Sequence, residues 1–269
     1  MRASRDAMRA LPTLLRVGVA ETVAYRAEFL VWMLTTTLPL VMLGLWTSVA
    51  DEAPFQGFAR ADFVAYYLVT LVVRNLTSSW VSWQINMEIR SGALAMRLLR
   101  PIHPFVTYLA THVSAVPLRG MVALPVAVLL LVTSGRDALA SDPLQLVWIV
   151  PAVVLAWLIT FSIQIAIGSL AFFHEKSIAV MDLYFGLFAV LSGYLLPLPL
   201  LPGWVGDVAA VSPFRATLSI PVEIVTRRDL GAGGAAELVA FSAAWAAATL
   251  GLALLVWRRG LRRFEAVGS

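Results

Sequence analysis

The sequence predicts an all-α, polytopic membrane protein, and three observations lead there. Hydrophobic residues fill 60% of the 269 positions and charged ones only 13%, for a mean hydropathy of +0.83, too apolar for a soluble domain of this length. The apolar residues gather into six runs, each near or above the roughly 20 residues that cross a bilayer as helix. Most charges fall between the runs, so the net charge of +4 and pI near 9.8 do not point to nucleic acid. Arginine supplies 19 of the 20 basic residues, with Lys176 the only lysine. The absence of cysteine excludes a disulfide framework, a thiolate nucleophile and a thiolate metal site.

Residues 1–28 set Arg2, Arg5, Arg9, Arg16 and Arg26 against Met8, Leu11, Leu15 and Val19 at helical spacing. That pattern suits a helix lying in the interface with its arginines toward anionic headgroups, and it suits equally a leader that only retains the first span inside. No short apolar core with a small-residue cleavage site precedes the first run, which begins near Phe29. The transmembrane part, 29–257, places spans at about 29–50, 62–84, 105–133, 145–172, 178–199 and 236–257, with a basic tail at 258–269. Six crossings put both ends on one side. That side holds thirteen basic residues: the five N-terminal arginines, Arg90, Arg97, Arg100, Lys176, Arg258, Arg259, Arg262 and Arg263. The other holds five: Arg60, Arg136, Arg215, Arg227 and Arg228. The excess assigns both termini to the cytoplasm.

The hinge at 85–104 is the most strongly basic of the polar interruptions. The residues before Gly92 suit a helix, and Ala93 to Arg100 suit a second short one, stopped by Pro101 and Pro104. At the 3.6-residue period Asn86, Arg90, Arg97 and Arg100 share one face, and Ile85, Ile89, Met96 and Leu99 another. A loop that only fixes topology carries the same basic residues. In the external segment, 200–235, Pro202-Gly203, Ser212-Pro213 and Pro221 cut a moderately apolar stretch into short pieces. These form either two small re-entrant helices, tolerable where protein or a water-filled cavity satisfies their backbone, or an ordinary loop with an apolar underside. Pro197, Pro199 and Pro202 bend the chain at the end of the fifth span. The alanine-rich sixth span permits close helix contact. No repeat of 20–50 residues and no inverted halves emerge, which argues against a repeat-built secondary transporter.

Catalytic patterns are missing. The sole lysine stands in His174-Glu175-Lys176-Ser177, not in a phosphate-cradling Gly-Lys-Ser. His103, His112 and His174 are scattered, no G-x-S-x-G elbow occurs, and Asp182 is the single carboxylate well inside a run, so an intramembrane acid pair is excluded. The expectation is a chain that is not an enzyme. Six polar groups lie at membrane depth: Arg74, Asn75, His112, Arg119, Gln164 and Asp182. A charge there costs at least about 2.5 kcal/mol on insertion scales, so such groups face protein or water. Either they line a translocation path that takes an anionic or acidic group, or they join helices by bonding backbone carbonyls and one another.

The run from Glu88 to Pro101, EIRSGALAMRLLRP, resembles the permease subunits of type-2 ABC transporters, which carry an acidic-basic pair, a glycine, leucines and a closing proline after the second span. Its Leu-Leu-Arg-Pro ending resembles the bacterial subgroup of small six-span permeases encoded apart from their ATPase, and Ser212-Pro213-Phe214 with Pro221 is similar to the region before that family's last span. The resemblance implies a coupling helix in the hinge, with Glu88, Ile89, Arg90, Gly92, Leu94, Arg97, Leu98, Arg100 and Pro101 at the ATPase contact. Ile89, Leu94 and Leu98 would be its apolar anchors. It implies a cytoplasmic ABC ATPase dimer that binds the ATP, no cofactor on this chain, a second permease subunit (a copy or a relative), contact with membrane lipids, and export across the bacterial inner membrane. Two rivals remain from the residues alone: a stand-alone secondary transporter using Asp182, and a non-transporting membrane scaffold.

Overall fold

The structure, a computed structural model, describes residues 12–20, 38–174 and 178–264. Among these residues there is no strand, only a lone antiparallel bridge between Phe55 and Phe58. The helices are α1 (Leu38–Val49), α2 (Arg60–Thr77), α3 (Val81–Arg90), α4 (Ala93–Leu98), α5 (Pro104–Ser114), α6 (Val116–Val132), α7 (Pro143–Leu146), α8 (Ile149–Ser169), α9 (Ile178–Leu191), α10 (Gly203–Val211), α11 (Pro213–Thr217), α12 (Ser219–Thr226) and α13 (Gly231–Leu261). Of the predicted interfacial segment 1–28, residues 12–20 are described and helical; they touch α5 so closely at Gly18 that a Cβ there would come 2.2 Å from the Ser114 Oγ. The rest of that segment, the first nine residues of the first expected span, Glu175 to Ser177 and the chain beyond Phe264 lie outside the described residues.

Among the described residues two stretches are long and apolar enough to cross a bilayer, Pro143–Phe172 with 30 residues and Gly231–Leu261 with 31. They coincide with the fourth and sixth expected spans, the latter starting five residues earlier than 236. Along α13 the buried residues Ala235, Val239, Ser242, Ala246, Thr249, Ala253 and Trp257 recur every three or four positions, a single stripe that packs on α8. Small side chains make the approach close. Ala152 and Ile159 of α8 meet Ala235, Val239 and Ala246, with Ala216, Ile220 and Ile224 closing the cluster.

The second and third expected spans are each broken. The run 62–84 divides at Ser78–Trp80 because Asn75, Thr77 and Ser78 turn their polar side chains back onto the carbonyls of Leu71, Val73 and Asn75, at 2.9, 2.9 and 3.3 Å. Ser79 Oγ then accepts from the first amide of α3, Val81 N–H, at 3.3 Å. Short polar side chains compete in this way with the helical ladder, and here they end one helix and begin the next. The run 105–133 divides at Ala115, where Pro117 opens α6 without an amide to donate back to α5. The fifth run ends at Leu191, well before 199, and a turn through Gly193 follows. Tyr66 and Tyr67 of α2 donate to the carbonyls of Gly193 and Leu195 at 2.6 and 2.8 Å, so the buried turn backbone is satisfied by protein.

The segment after α9 holds three short helices instead of two. α11 and α12 are buried against α8, α2 and α13, whereas α10 exposes Trp204, Val208 and Val211. Buried Gln145 of α7 donates to the carbonyls of Ile224 and Arg227 at 2.9 and 2.7 Å, and Ala140 N–H to Val225 at 2.8 Å, which caps the orphan carbonyls at the end of α12.

Candidate functional site

The hinge is an elbow whose inner face is locked and whose outer face is bare. Val81, Ile85 and Ile89 repeat every fourth residue along α3 and pack on Phe161 and Ile165 of α8. α8 comes close because Gly168 has no side chain; a Cβ there would stand 2.9 Å from the Ser82 backbone. Gly92, at φ +75°, turns the chain in the left-handed region that glycine enters without steric cost, and α4 starts directly after it. Leu94, fully buried, joins Ile85, Ile89, Tyr108 and Trp257 in one cluster. Pro104 supplies the first turn of α5, where a missing amide costs nothing. The His103 Nδ1 accepts from Phe105 N–H at 3.2 Å; partial burial and nearby Arg258 hold the imidazole below its ordinary pKa, which keeps that nitrogen an acceptor.

Glu88 fastens the elbow. Its carboxylate accepts from Arg97 Nε and Nη2 at 2.8 and 2.5 Å, from the Tyr108 hydroxyl at 2.6 Å and from Gln84 Nε2 at 3.1 Å. The Arg97 guanidinium also donates to Thr107 Oγ1 at 2.9 Å and lies 4.8 Å from the Tyr108 ring centroid. One two-pronged pair with an aromatic plate thus ties α3, α4 and α5 together.

This geometry corrects the expected faces. Ile85 and Ile89 point inward while Met96 and Leu99 point outward, because the left-handed residue at Gly92 breaks the helical phase that joined them. Of the three expected anchors, Ile89 and Leu94 are committed to the core; Leu98 is exposed, beside Met96 and Leu99, which are 69% and 79% exposed. Arg97 faces its own chain, whereas Arg90, Arg100 and Pro101 are exposed. On α3 the exposed stripe is Trp83, Met87 and Arg90.

The polar groups at depth divide into three. Arg119 donates to the Ser78 carbonyl at the break after α2 and lies 4.9 Å from the Trp80 ring, on which buried His112 also packs at 4.4 Å. Arg74, one turn earlier beside Asn75, lies 4.5 Å from the ring of Phe188 on α9 and 5.8 Å from that of Tyr194. Gln164 is buried on α8, one turn after the Phe161 that meets His112. Asp182 is exposed on α9 among Leu183 and Phe185, apart from the others. A cation over an orphan carbonyl stabilises the end of a broken helix. Arg119→Met is therefore expected to lower stability by about 1–3 kcal/mol, the cost of a buried acceptor left unsatisfied, read as a lower unfolding midpoint in detergent.

Sequence reading passed over Tyr108 and Thr107, which complete the clasp, and over the charges at the far end of α2. There Glu223 accepts from Arg215 at 2.9 Å and from Ser219 at 2.9 Å, Arg227 stands 3.6 Å away and pairs with Asp229 at 2.9 Å. The Arg227 hydrogen bond holds the Asp229 carboxyl below the ordinary carboxylate range.

Among the described residues, two bilayer-length apolar helices and arginines buried at a helix break fit a membrane-embedded bundle. A family model described as ABC-2 family transporter protein matches residues 28–268, and the chain belongs to that family. Neither the curated proteins nor the solved structures give a match.

Proposed function

We propose that this chain is the permease subunit of an ABC exporter, crossing the bacterial inner membrane six times with both termini in the cytoplasm and docking a separate ATPase dimer through the hinge. A second permease, a copy or a relative, completes the translocation path. The observation that carries this reading is the elbow: a short helix held from inside by Leu94 and the Glu88–Arg97–Tyr108 clasp, with Met96, Leu98, Leu99 and Arg100 left to a partner. Membership of the ABC-2 family supports the division of labour, in which ATP is bound and hydrolysed by the partner because this sequence carries no P-loop. Closure of the ATPase dimer moves α4, and the clasp passes that motion to α3 and α5 as one body. The external helices α10–α12 then lie at the exit. A stand-alone secondary transporter using Asp182 is less well supported, since Asp182 is exposed while Arg74 and Arg119 are buried. Co-purification with its ATPase is expected to yield a stable complex with ATP turnover several-fold above that of the ATPase alone; transport by the purified chain without any nucleotide-hydrolysing partner contradicts the reading.

A further inference from the structure

At the end of α2 away from the hinge lies a cavity of about 690 Å³, within the range of small-molecule sites. One network of its charges is already engaged: Arg215 and Ser219 both bond Glu223, and Arg227 bridges Glu223 and Asp229. Outside that network the lining carries Asp62, Arg228 and Asp207. The Arg228 side chain is 57% exposed, donating to the Asp137 carbonyl and standing 4.0 Å from Asp62. Asp207 on α10 is exposed and has no ion-pair partner among the described residues. Arg228 and Asp207 line the same cavity from different elements, and Leu198, Pro199, Leu201 and Phe58 line it with apolar surface. The space before α10 is open: a Cβ on Gly203 would meet nothing within 4 Å, and one on Gly206 nothing nearer than 3.8 Å. Beside the mouth, Trp204 is 76% exposed and Val208 and Val211 extend the apolar face of α10, the composition of a helix lying at a membrane boundary.

A single cation would satisfy Asp207 and meet Arg228; a single anion would do the reverse. We propose that the cavity binds the zwitterionic head of a phospholipid from the surrounding bilayer, its phosphate toward Arg228, its ammonium toward Asp207, and the start of its chains on Leu198 to Leu201. The lipid enters over the Trp204 face. That it comes from the outer leaflet rests on the topology proposed above.

The test uses the purified full chain in nanodiscs of phosphatidylglycerol, titrated calorimetrically with dihexanoyl phosphatidylethanolamine and, separately, dihexanoyl phosphatidylglycerol. The ethanolamine probe is expected to bind at least about tenfold tighter, and Asp207→Asn, which breaks no ion pair of the described residues, is expected to remove that preference. Nanodiscs containing long-chain phosphatidylethanolamine are expected to weaken probe binding at least about tenfold by competition. Equal affinity for the two probes, no binding, an unchanged preference in Asp207→Asn, or no competition overturns the proposal. Trp204→Cys, the sole thiol in a cysteine-free chain, separates the two readings. Labelling from outside without lipid binding defeats the site and leaves the topology; labelling from the cytoplasm with binding intact defeats the topology alone.

Discussion

Replacing Met96 and Leu99 together by glutamate is expected to abolish stimulation of the partner ATPase while the permease keeps its unfolding midpoint. Both side chains are uncovered in the chain on its own, so their loss costs the fold little. In a docked complex they are, with Leu98, the apolar anchors that the elbow has left to offer, and an anchor of this kind carries about 2 kcal/mol or more, roughly 30-fold in affinity each. Leu94→Ala separates docking from folding. Leu94 is fully buried among Ile85, Ile89, Tyr108 and Trp257, so its truncation is expected to cost about 2–5 kcal/mol of stability. A Met96→Glu/Leu99→Glu chain that still stimulates its ATPase removes α4 from the interface.

Glu88→Ala is expected to leave ATP turnover in place and cut transport at least about tenfold, because force then reaches α4 without being handed to α5. The change strips Arg97 and the Tyr108 hydroxyl of their common acceptor. With the two ionic side chains 14% and 22% exposed, the stability cost is nearer about 1–3 kcal/mol than that of a fully desolvated pair. Arg97→Lys is expected to behave like Glu88→Ala, since an ammonium cannot reproduce two parallel bonds. The double variant Glu88→Ala/Arg97→Ala is expected to be no worse than either single one; additive losses of transport mean that the two residues act separately. ATP turnover and transport by reconstituted complexes, with thermal unfolding as the control, read all three variants.

Composition and run length made the all-helical membrane class legible, and Gly92 between two short amphipathic stretches made the elbow legible. The facing of α4 was not, because a helical wheel carries its phase through a residue that in fact turns left-handed, and so Ile89, placed on one face with Met96 and Leu99, turns inward with Leu94 while those two turn outward. The break at Ser78–Trp80 had a readable signal in Asn75, Thr77, Ser78 and Ser79, four short polar side chains in five positions, outweighed by the hydrophobic average of the window. The clasp had none: it needs Glu88, Arg97 and Tyr108, spread over twenty positions, to meet around a turn. The same holds for the far cavity, where Arg215, Glu223, Arg227 and Asp229 read as loop charges until folding of α11 and α12 brings them together. Asp182 was grouped with the buried polar residues by its depth in the run, yet which side of α9 it takes depends on the neighbouring helices.

The most direct test of the central claim places a single cysteine at Leu99 in this cysteine-free chain and labels it with a membrane-impermeant maleimide, in vesicles of both orientations, with and without the ATPase. Labelling is expected from the cytoplasmic face alone, with protection once the ATPase is bound. Labelling from the opposite face, or labelling undiminished in the assembled complex, contradicts that claim.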